Sequence, residues 1–228
     1  MRPSYSIIIP CFNEAPSLPI LIQQIVSLNK KDSIEFILVD NGSSDSTEEI
    51  FNTDKSEGIV KVRLSENAGY GGGIKAGIEI AQGEYIGWTH ADLQYSLIDS
   101  LNNLDTISKD VKFIKGKRRG RSISQNLLSA NMSIFESILF GQILYDINAQ
   151  PTIFHKDLLK YMPHIPDDFS IDLYTYVAAQ RLKFKIFRFK VNFVKRNFGA
   201  SSWNTGTKSI FKMSIRIIRY SLNLKKHL

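Results

Sequence analysis

The residues best suited to chemistry stand in one short run, His90-Ala91-Asp92-Leu93-Gln94. At the end of an extended segment alternate side chains share a side, so His90, Asp92 and Gln94 would present an imidazole, a carboxylate and an amide together at metal-binding reach. Hard oxygen ligands suit magnesium or manganese, which keep several waters and take substrate phosphates in their remaining positions. A structural zinc is disfavoured, because Cys11 is the only cysteine and no second histidine is nearby. The plainer reading has His90 closing the strand and Asp92 capping a helix that starts at Tyr95.

Three other apolar runs also end in polar groups. They lead into Pro10-Cys11-Phe12-Asn13-Glu14, Asp40-Asn41-Gly42-Ser43-Ser44-Asp45, and Glu66-Asn67-Ala68-Gly69-Tyr70-Gly71-Gly72-Gly73. Each has a modest explanation: Asn13 and Asp45 suit helix caps, and Gly42 suits a turn. The glycine run lacks the G-x-G-x-x-G spacing of a dinucleotide loop and follows the third apolar run, so a nicotinamide or flavin site is not expected. Four polar ends on one sheet edge still define a ligand crevice, because open α/β sheets bind beyond the carboxyl ends of their strands.

The elements that must position these ends are legible in the hydrophobic pattern. Ser6 to Pro10, Ile34 to Val39, Val60 to Leu64 and Tyr85 to Thr89 are continuous apolar or β-branched runs, as parallel strands buried on both faces require. Leu18 to Leu28 has helical spacing, with Pro16 and Pro19 tolerable in a first turn. Asp45 and Glu48 resemble a capping box for a helix through Phe51, and Ile74, Ile78 and Ala81 mark a helix after the glycines. Asn126 to Tyr145 and Ile171 to Leu182 read as further helices, and Phe184 to Val194 as a strand. The rhythm is that of an α/β fold, a mostly parallel sheet flanked by helices, in one domain over 1–205 with a basic amphipathic helix over 206–228.

Composition narrows the partners. The chain has 228 residues, 43% hydrophobic and 22% charged, and a net charge of +7 that favours phosphates, anionic lipid surfaces or nucleic acid. Nucleic acid is not expected, because the basic residues are not interleaved with aromatics on a recognisable module. The lone cysteine fits a reducing cytosol, and the apolar run ending at Pro10 is too short for a signal-peptide core. No stretch approaches the ~20 apolar residues that cross a bilayer, so a cytoplasmic protein, peripheral on the inner face of the membrane, is expected.

The motifs together resemble the family 2 glycosyltransferases. The carriers are the runs at 10–14, 39–45, 67–71, Gly83-Glu84-Tyr85-Ile86 and 91–94. Gly116-Lys117-Arg118, the stretch Asp146 to Phe154, and Arg196-Asn197-Phe198-Gly199-Ala200-Ser201-Ser202 extend the likeness to the polyprenol-phosphate sugar synthases. The resemblance implies a GT-A fold and inverting transfer from a UDP- or GDP-linked nucleotide sugar. It implies that Pro10, Glu14, Asp40, Asn67, Gly71 and Ala91 line the nucleotide site. Asp92, with Gln94 and His90, would hold a Mg or Mn ion on the diphosphate, and Arg196, with Ser201 and Ser202, would close over it.

Two departures mark this chain. His90 stands where the family places a carboxylate, which removes one negative charge from the metal site. The synthases hold the acceptor phosphate with an arginine four residues before a serine; here Ser129 remains but Gln125 takes the arginine's place, leaving Arg118, Arg119 or Arg121 to compensate. A lipid-linked acceptor is therefore expected at Arg118 and Ser129, with transfer to a carbohydrate hydroxyl as the alternative. That alternative needs a base, for which Asp172, ahead of Asp168, is the candidate. A non-catalytic nucleotide-binding protein is the third reading. At the C-terminus Phe211, Ile215, Ile218 and Leu222 form an apolar stripe beside Lys208, Lys212, Arg216 and Arg219, a pattern suited to a membrane surface, to packing on the domain or to a homo-oligomer contact.

Overall fold

A computed structural model describes residues 3–28, 33–102, 104–194, 196, 198 and 207–226, with backbone alone for 207–211 and 213. Seven strands form one sheet in the order β3-β2-β1-β4-β6-β5-β7. They are β1 (Tyr5–Cys11), β2 (Ile34–Asn41), β3 (Ile59–Leu64), β4 (Tyr85–Trp88), β5 (Phe113–Arg119), β6 (Thr152–His155) and β7 (Ile186–Asn192). β1 pairs in parallel with both β2 and β4, and β5 with β7, while β6 runs antiparallel between β4 and β5.

The strand side chains explain the two-layered core. Along β1, Ile7 and Ile9 enter one apolar cluster and Ile8 the other, all fully buried. Alternation across the pleat thus supplies both faces from one isoleucine run. One layer is closed by α1 (Leu18–Leu28) and α4 (Leu97–Leu101), the other by α3 (Gly69–Ile80) and α6 (Ser170–Arg181). Because the chain winds from β1 through β2 to β3 and then returns to β4 on the other side of β1, the strand order reverses at β1/β4. The crevice between their carboxyl ends is the switch point.

Three local expectations are corrected. The helix α2 (Thr47–Thr53) has Ser46 at its N-cap, whose side chain makes no capping bond. Asp45 lies one residue earlier and accepts from the backbone amides of Thr47 (2.9 Å) and Ala15 (3.3 Å), while Glu48 pairs with Arg63 instead of closing a capping box. The glycine run does not precede α3 but forms its first turns, and Gly77 lets the helix sit where a Cβ would come within 2.4 Å of Ile8. The long amphipathic helix, α5 (Ile123–Phe140), starts earlier than expected because Ser122 and Gln125 form a true capping box.

The C-terminal helix, α7 (Thr207–Lys225), packs on α5 and α6 through Ser221 and Leu224, both buried. Glu136 of α5 lies in this contact, 2% exposed, with the Ser221 hydroxyl donating to Oε1 and no hydrogen-bond partner for Oε2 among the described residues. Burial pushes its carboxyl up to about 7. The fold therefore binds a proton that the unfolded chain has released above its ordinary value, so stability declines as pH rises from about 4.5 towards 7. Glu136→Gln is expected to remove that slope and raise stability at pH 8 by about 1–2 kcal/mol, read from thermal melts across pH.

Candidate active site

The β1 and β2 ends are stitched together before any ligand is considered. Asn13, in the left-handed region, receives the Ser44 amide on Oδ1 at 2.8 Å, and its own amide donates to Ser43 Oγ at 3.0 Å. The Glu14 amide donates to Thr47 Oγ1 at 3.0 Å. This loop aims the Glu14 carboxylate into the crevice, where Ser17 donates to Oε2 at 2.7 Å and Arg196 forms an ion pair with Oε1. Burial pushes the Glu14 carboxyl up; Ser17 and Arg196 pull it down, Asp92 raises it and His90 lowers it. Glu14, Arg196, Asp92 and His90 thus share one electrostatic neighbourhood at the switch point. The Arg196 Nε is buried without a hydrogen-bond partner among the described residues.

The β4 end differs from the regular alternation expected of it. The strand stops at Trp88, residues 89–94 are irregular, and Leu93 has φ 57°. His90 packs between the rings of Tyr70 (5.4 Å) and Tyr95 (6.1 Å). Asp92 accepts the Gln94 amide on Oδ1 at 3.1 Å and does not cap a helix, since α4 begins at Leu97 with Ser96 as its cap. Gln94 exchanges bonds with Val194, donating Nε2 to its carbonyl at 3.3 Å and accepting its amide at 3.0 Å. The three side chains therefore do not project from a regular strand, and the Gln94 side chain engages Val194 through Nε2. Gln94 instead ties down the segment that carries Arg196.

Among the described residues no group of three His, Cys, Asp or Glu side chains is gathered for a metal. The Asp92 carboxylate nevertheless fits magnesium or manganese, which are held by one or two carboxylates plus substrate phosphates.

The remaining nucleotide-site expectations divide. Pro10 and Ala91 lie at the crevice. Asp40, fully buried at the end of β2, accepts the Ser43 amide on Oδ1 at 3.0 Å; its Oδ2 has no hydrogen bond among the described residues, with Arg63 Nε 3.6 Å away. Asn67 is exposed and accepts the Gly69 amide at 2.8 Å. Asn41, to which the sequence reading assigned no role, receives the Ala68 amide and donates to the Gly69 carbonyl, at 3.1 and 2.9 Å. Gly71 is corrected: its amide donates to the Asp167 carbonyl at 2.9 Å, and a Cβ there would lie 2.1 Å from the Pro166 carbonyl oxygen. The glycines admit the 166–168 backbone, with Lys75 holding Asp167 at 2.6 Å, rather than a phosphate.

Asp172 is also corrected as an open base. It is 2% exposed and surrounded by donors: Thr152 Oγ1 at 2.8 Å, Gln150 Nε2 at 3.1 Å, Trp88 Nε1 at 3.2 Å and Lys115 Nζ at 3.5 Å. Lys115 is itself fully buried, and burial pushes its ammonium down to about 8 against the pull of Asp172. Gln150 continues the chain of contacts to the Tyr70 hydroxyl at 3.3 Å, and Tyr70 stacks on Phe169 and touches His90. The visible signal was a lysine inside the apolar run Phe113-Ile114-Lys115-Gly116.

An open cavity of ≈ 490 Å³ includes Arg118, Arg121, Ser129 and Ile138 in its walls, and Arg121 lies over the ring of Phe193, which meets Tyr95, the neighbour of His90. Arg118 is neutralised by Asp146, which accepts its Nε at 2.6 Å and its amide at 2.7 Å. Arg121 donates Nη1 to Ser129 Oγ at 2.6 Å, and its Nε has no hydrogen-bond partner among the described residues. Gln125 is occupied as the capping residue of α5, so Arg121, one turn upstream, is the guanidinium that reaches Ser129. Ser201 and Ser202 lie outside the described residues.

The chain is similar to known proteins. The undecaprenyl-phosphate 4-deoxy-4-formamido-L-arabinose transferase of Pectobacterium carotovorum subsp. carotovorum is 26% identical over 206 residues, 87% of this chain. The chain spans 62% of that relative's length. The dolichyl-phosphate beta-glucosyltransferase of Dictyostelium discoideum is 26% identical over 97% of this chain and 76% of its own. The fold matches glucosyl-3-phosphoglycerate synthase from Mycobacterium tuberculosis, solved with Mn2+, UDP and glucosyl-3-phosphoglycerate, at a TM-score of 0.73 and 18% identity, over 99% of this chain and 80% of that one. It is thus the GT-A fold that the sequence resemblance implied. The family model "Glycosyl transferase family 2" matches residues 6–162, a span that takes in the β1, β2 and β4 ends and the Arg121–Ser129 cavity, and the chain belongs to that family.

Proposed function

We propose that this chain moves a sugar from a UDP- or GDP-linked donor to polyprenyl phosphate, with inversion at the anomeric carbon. The observation that carries the reading is the Glu14–Arg196 ion pair at the switch point, beside the β4 end that carries His90 and Asp92 and is bonded to β1 through the Thr89 amide on the Ile8 carbonyl. His90 leads through Tyr95 and Phe193 to Arg121, which holds Ser129. The Asp40 oxygen left without a hydrogen bond is an acceptor suited to a ribose hydroxyl or a base N–H. Asp92, with His90, would hold magnesium or manganese, an ion that when bound supplies positive charge to the departing diphosphate. Arg196 exchanges Glu14 for the diphosphate and adds a charge-assisted donor as negative charge builds there.

The acceptor phosphate oxygen forms the new bond to the anomeric carbon while the nucleoside diphosphate leaves with the electron pair of the old one. An anionic nucleophile requires no base, which agrees with an Asp172 that is buried among donors. The two relatives, an undecaprenyl-phosphate 4-deoxy-4-formamido-L-arabinose transferase and a dolichyl-phosphate beta-glucosyltransferase, support the same acceptor class.

The test supplies labelled nucleotide sugars with polyprenyl phosphate and follows label into the lipid phase. Arg121→Ala is expected to raise the acceptor KM by about 10- to 100-fold, the loss of one hydrogen bond to a charged group, while donor hydrolysis in water is unchanged. Transfer to a glycan hydroxyl that ignores Arg121 would refute the acceptor assignment.

A further inference from the structure

The helix α5 carries an exposed apolar stripe. Its only charged residue, Glu136, faces the protein and is 2% exposed, on the side that also buries Phe140 in the core. Four of its large apolar residues face outward: Ile123 is 87% exposed, Leu127 62%, Ile134 58% and Ile138 78%. Their spacing puts them on one side of the helix, and Ile143, 81% exposed, follows just beyond its end. An aliphatic stripe of this length with no charge in it marks a surface that is covered in use.

The surroundings indicate what covers it. Lys117 and Arg119 are exposed at the end of β5, immediately before the helix, so the apolar stripe is edged by positive charge. Ile134, Ile138 and Ile143 also line the cavity that holds Arg121 and Ser129. A phosphate at Arg121 would therefore leave its attached chain lying across the same isoleucines. Among the described residues no helix is long and apolar enough to cross a membrane. On α7, by contrast, the exposed large apolar side chains that are described are Ile215 and Leu222, and the face towards the protein is made by Ser221 and Leu224.

We infer that α5, rather than the C-terminal helix, is the membrane-docking surface: its stripe lies in the interfacial layer of an anionic bilayer, with Lys117 and Arg119 on the headgroups. The purpose assigned to it, meeting a lipid-borne phosphate, rests on the function proposed above, but the docking itself is measurable without sugar transfer.

The experiment floats the full chain with phosphatidylcholine vesicles, with and without phosphatidylglycerol. The comparison is between wild type, Ile123→Gln/Leu127→Gln on α5, and Ile215→Gln/Leu222→Gln on α7. The α5 pair lies outside the cavity and is exposed, so thermal melts and nucleotide binding report intact folding. The expected result is binding that requires phosphatidylglycerol, reduced about tenfold or more by the α5 pair and little by the α7 pair. Three outcomes overturn the inference: no binding by wild type, equal binding by the α5 variant, or loss confined to the α7 variant. A wild-type dimer by light scattering that the α5 pair makes monomeric, without vesicle binding, assigns the stripe to a second copy and overturns it also. Transfer to a short-chain, water-soluble polyprenyl phosphate, run in parallel, separates the two readings. Vesicle binding without transfer removes the function alone, and transfer without vesicle binding removes the docking surface alone.

Discussion

Asp92→Ala lowers kcat/KM for sugar transfer by about 10³-fold and abolishes the dependence of nucleotide binding on manganese, while the melting temperature barely moves. The asymmetry follows from its contacts. The carboxylate accepts one backbone amide, that of Gln94, in an irregular segment after β4, so little packing depends on it. Its value lies in charge at the switch point. Asp92→Asn, which keeps the hydrogen bond and removes the charge, is expected to behave like the alanine variant. His90→Asp is expected to tighten manganese or magnesium binding, because it restores a second hard anionic ligand where this chain has an imidazole. A metal titration of nucleotide binding in the three variants checks all of these results.

Asp172→Ala destabilises the fold by about 3–5 kcal/mol, because it leaves the fully buried Lys115 ammonium without its counter-charge. The loss also depends on pH. In the wild type the Lys115 ammonium is held at about 8, below its ordinary value, so between about 8 and 10.5 the unfolded chain binds a proton that the fold has released and stability rises with pH. Removing Asp172 removes a group that raises Lys115, so the window widens downwards, and the variant regains stability as pH climbs from neutral. Denaturant unfolding at several pH values measures this. Lys115→Met/Asp172→Leu, which deletes both charges, is expected to recover most of the loss. A catalytic base would behave differently: its alanine variant would keep wild-type stability and lose kcat with one limb of the pH profile.

Much of this molecule is written in local pattern. The runs at Ser6, Ile34 and Tyr85 are buried on both faces and became β1, β2 and β4 within a residue or two, because parallel central strands leave no polar alternation to confuse them; the Val60 run became the half-exposed edge strand β3. The strand ends were legible for the same reason, as polar groups that interrupt apolar runs. What was not legible depends on contacts across the chain. Gly71 reads as part of the nucleotide-site lining until the 166–168 backbone is placed against it, some ninety residues on. Asp172 reads as a free acid until Lys115, Gln150, Thr152 and Trp88 surround it. Gln94 reads as a strand-mate of Asp92 until Leu93 turns the backbone and the Val194 carbonyl accepts from its side-chain amide. The exchange of Gln125 for Arg121 needed the helix start at Ile123, which the capping box sets one turn earlier than apolar spacing alone shows. For α5 the periodicity was plain, but periodicity does not say which face is inside. Only the fold shows that Glu136 is buried and the isoleucines are not.

The central claim is that this switch point binds a nucleoside diphosphate through a divalent cation at Asp92. Isothermal calorimetry of the wild-type chain with UDP and with GDP, each in manganese and in a chelator, tests it most directly. The account predicts saturable heat for one of the two nucleotides in manganese, and heat near zero in the chelator. Equal binding with and without the cation, or no binding of either nucleotide under any condition, would contradict it.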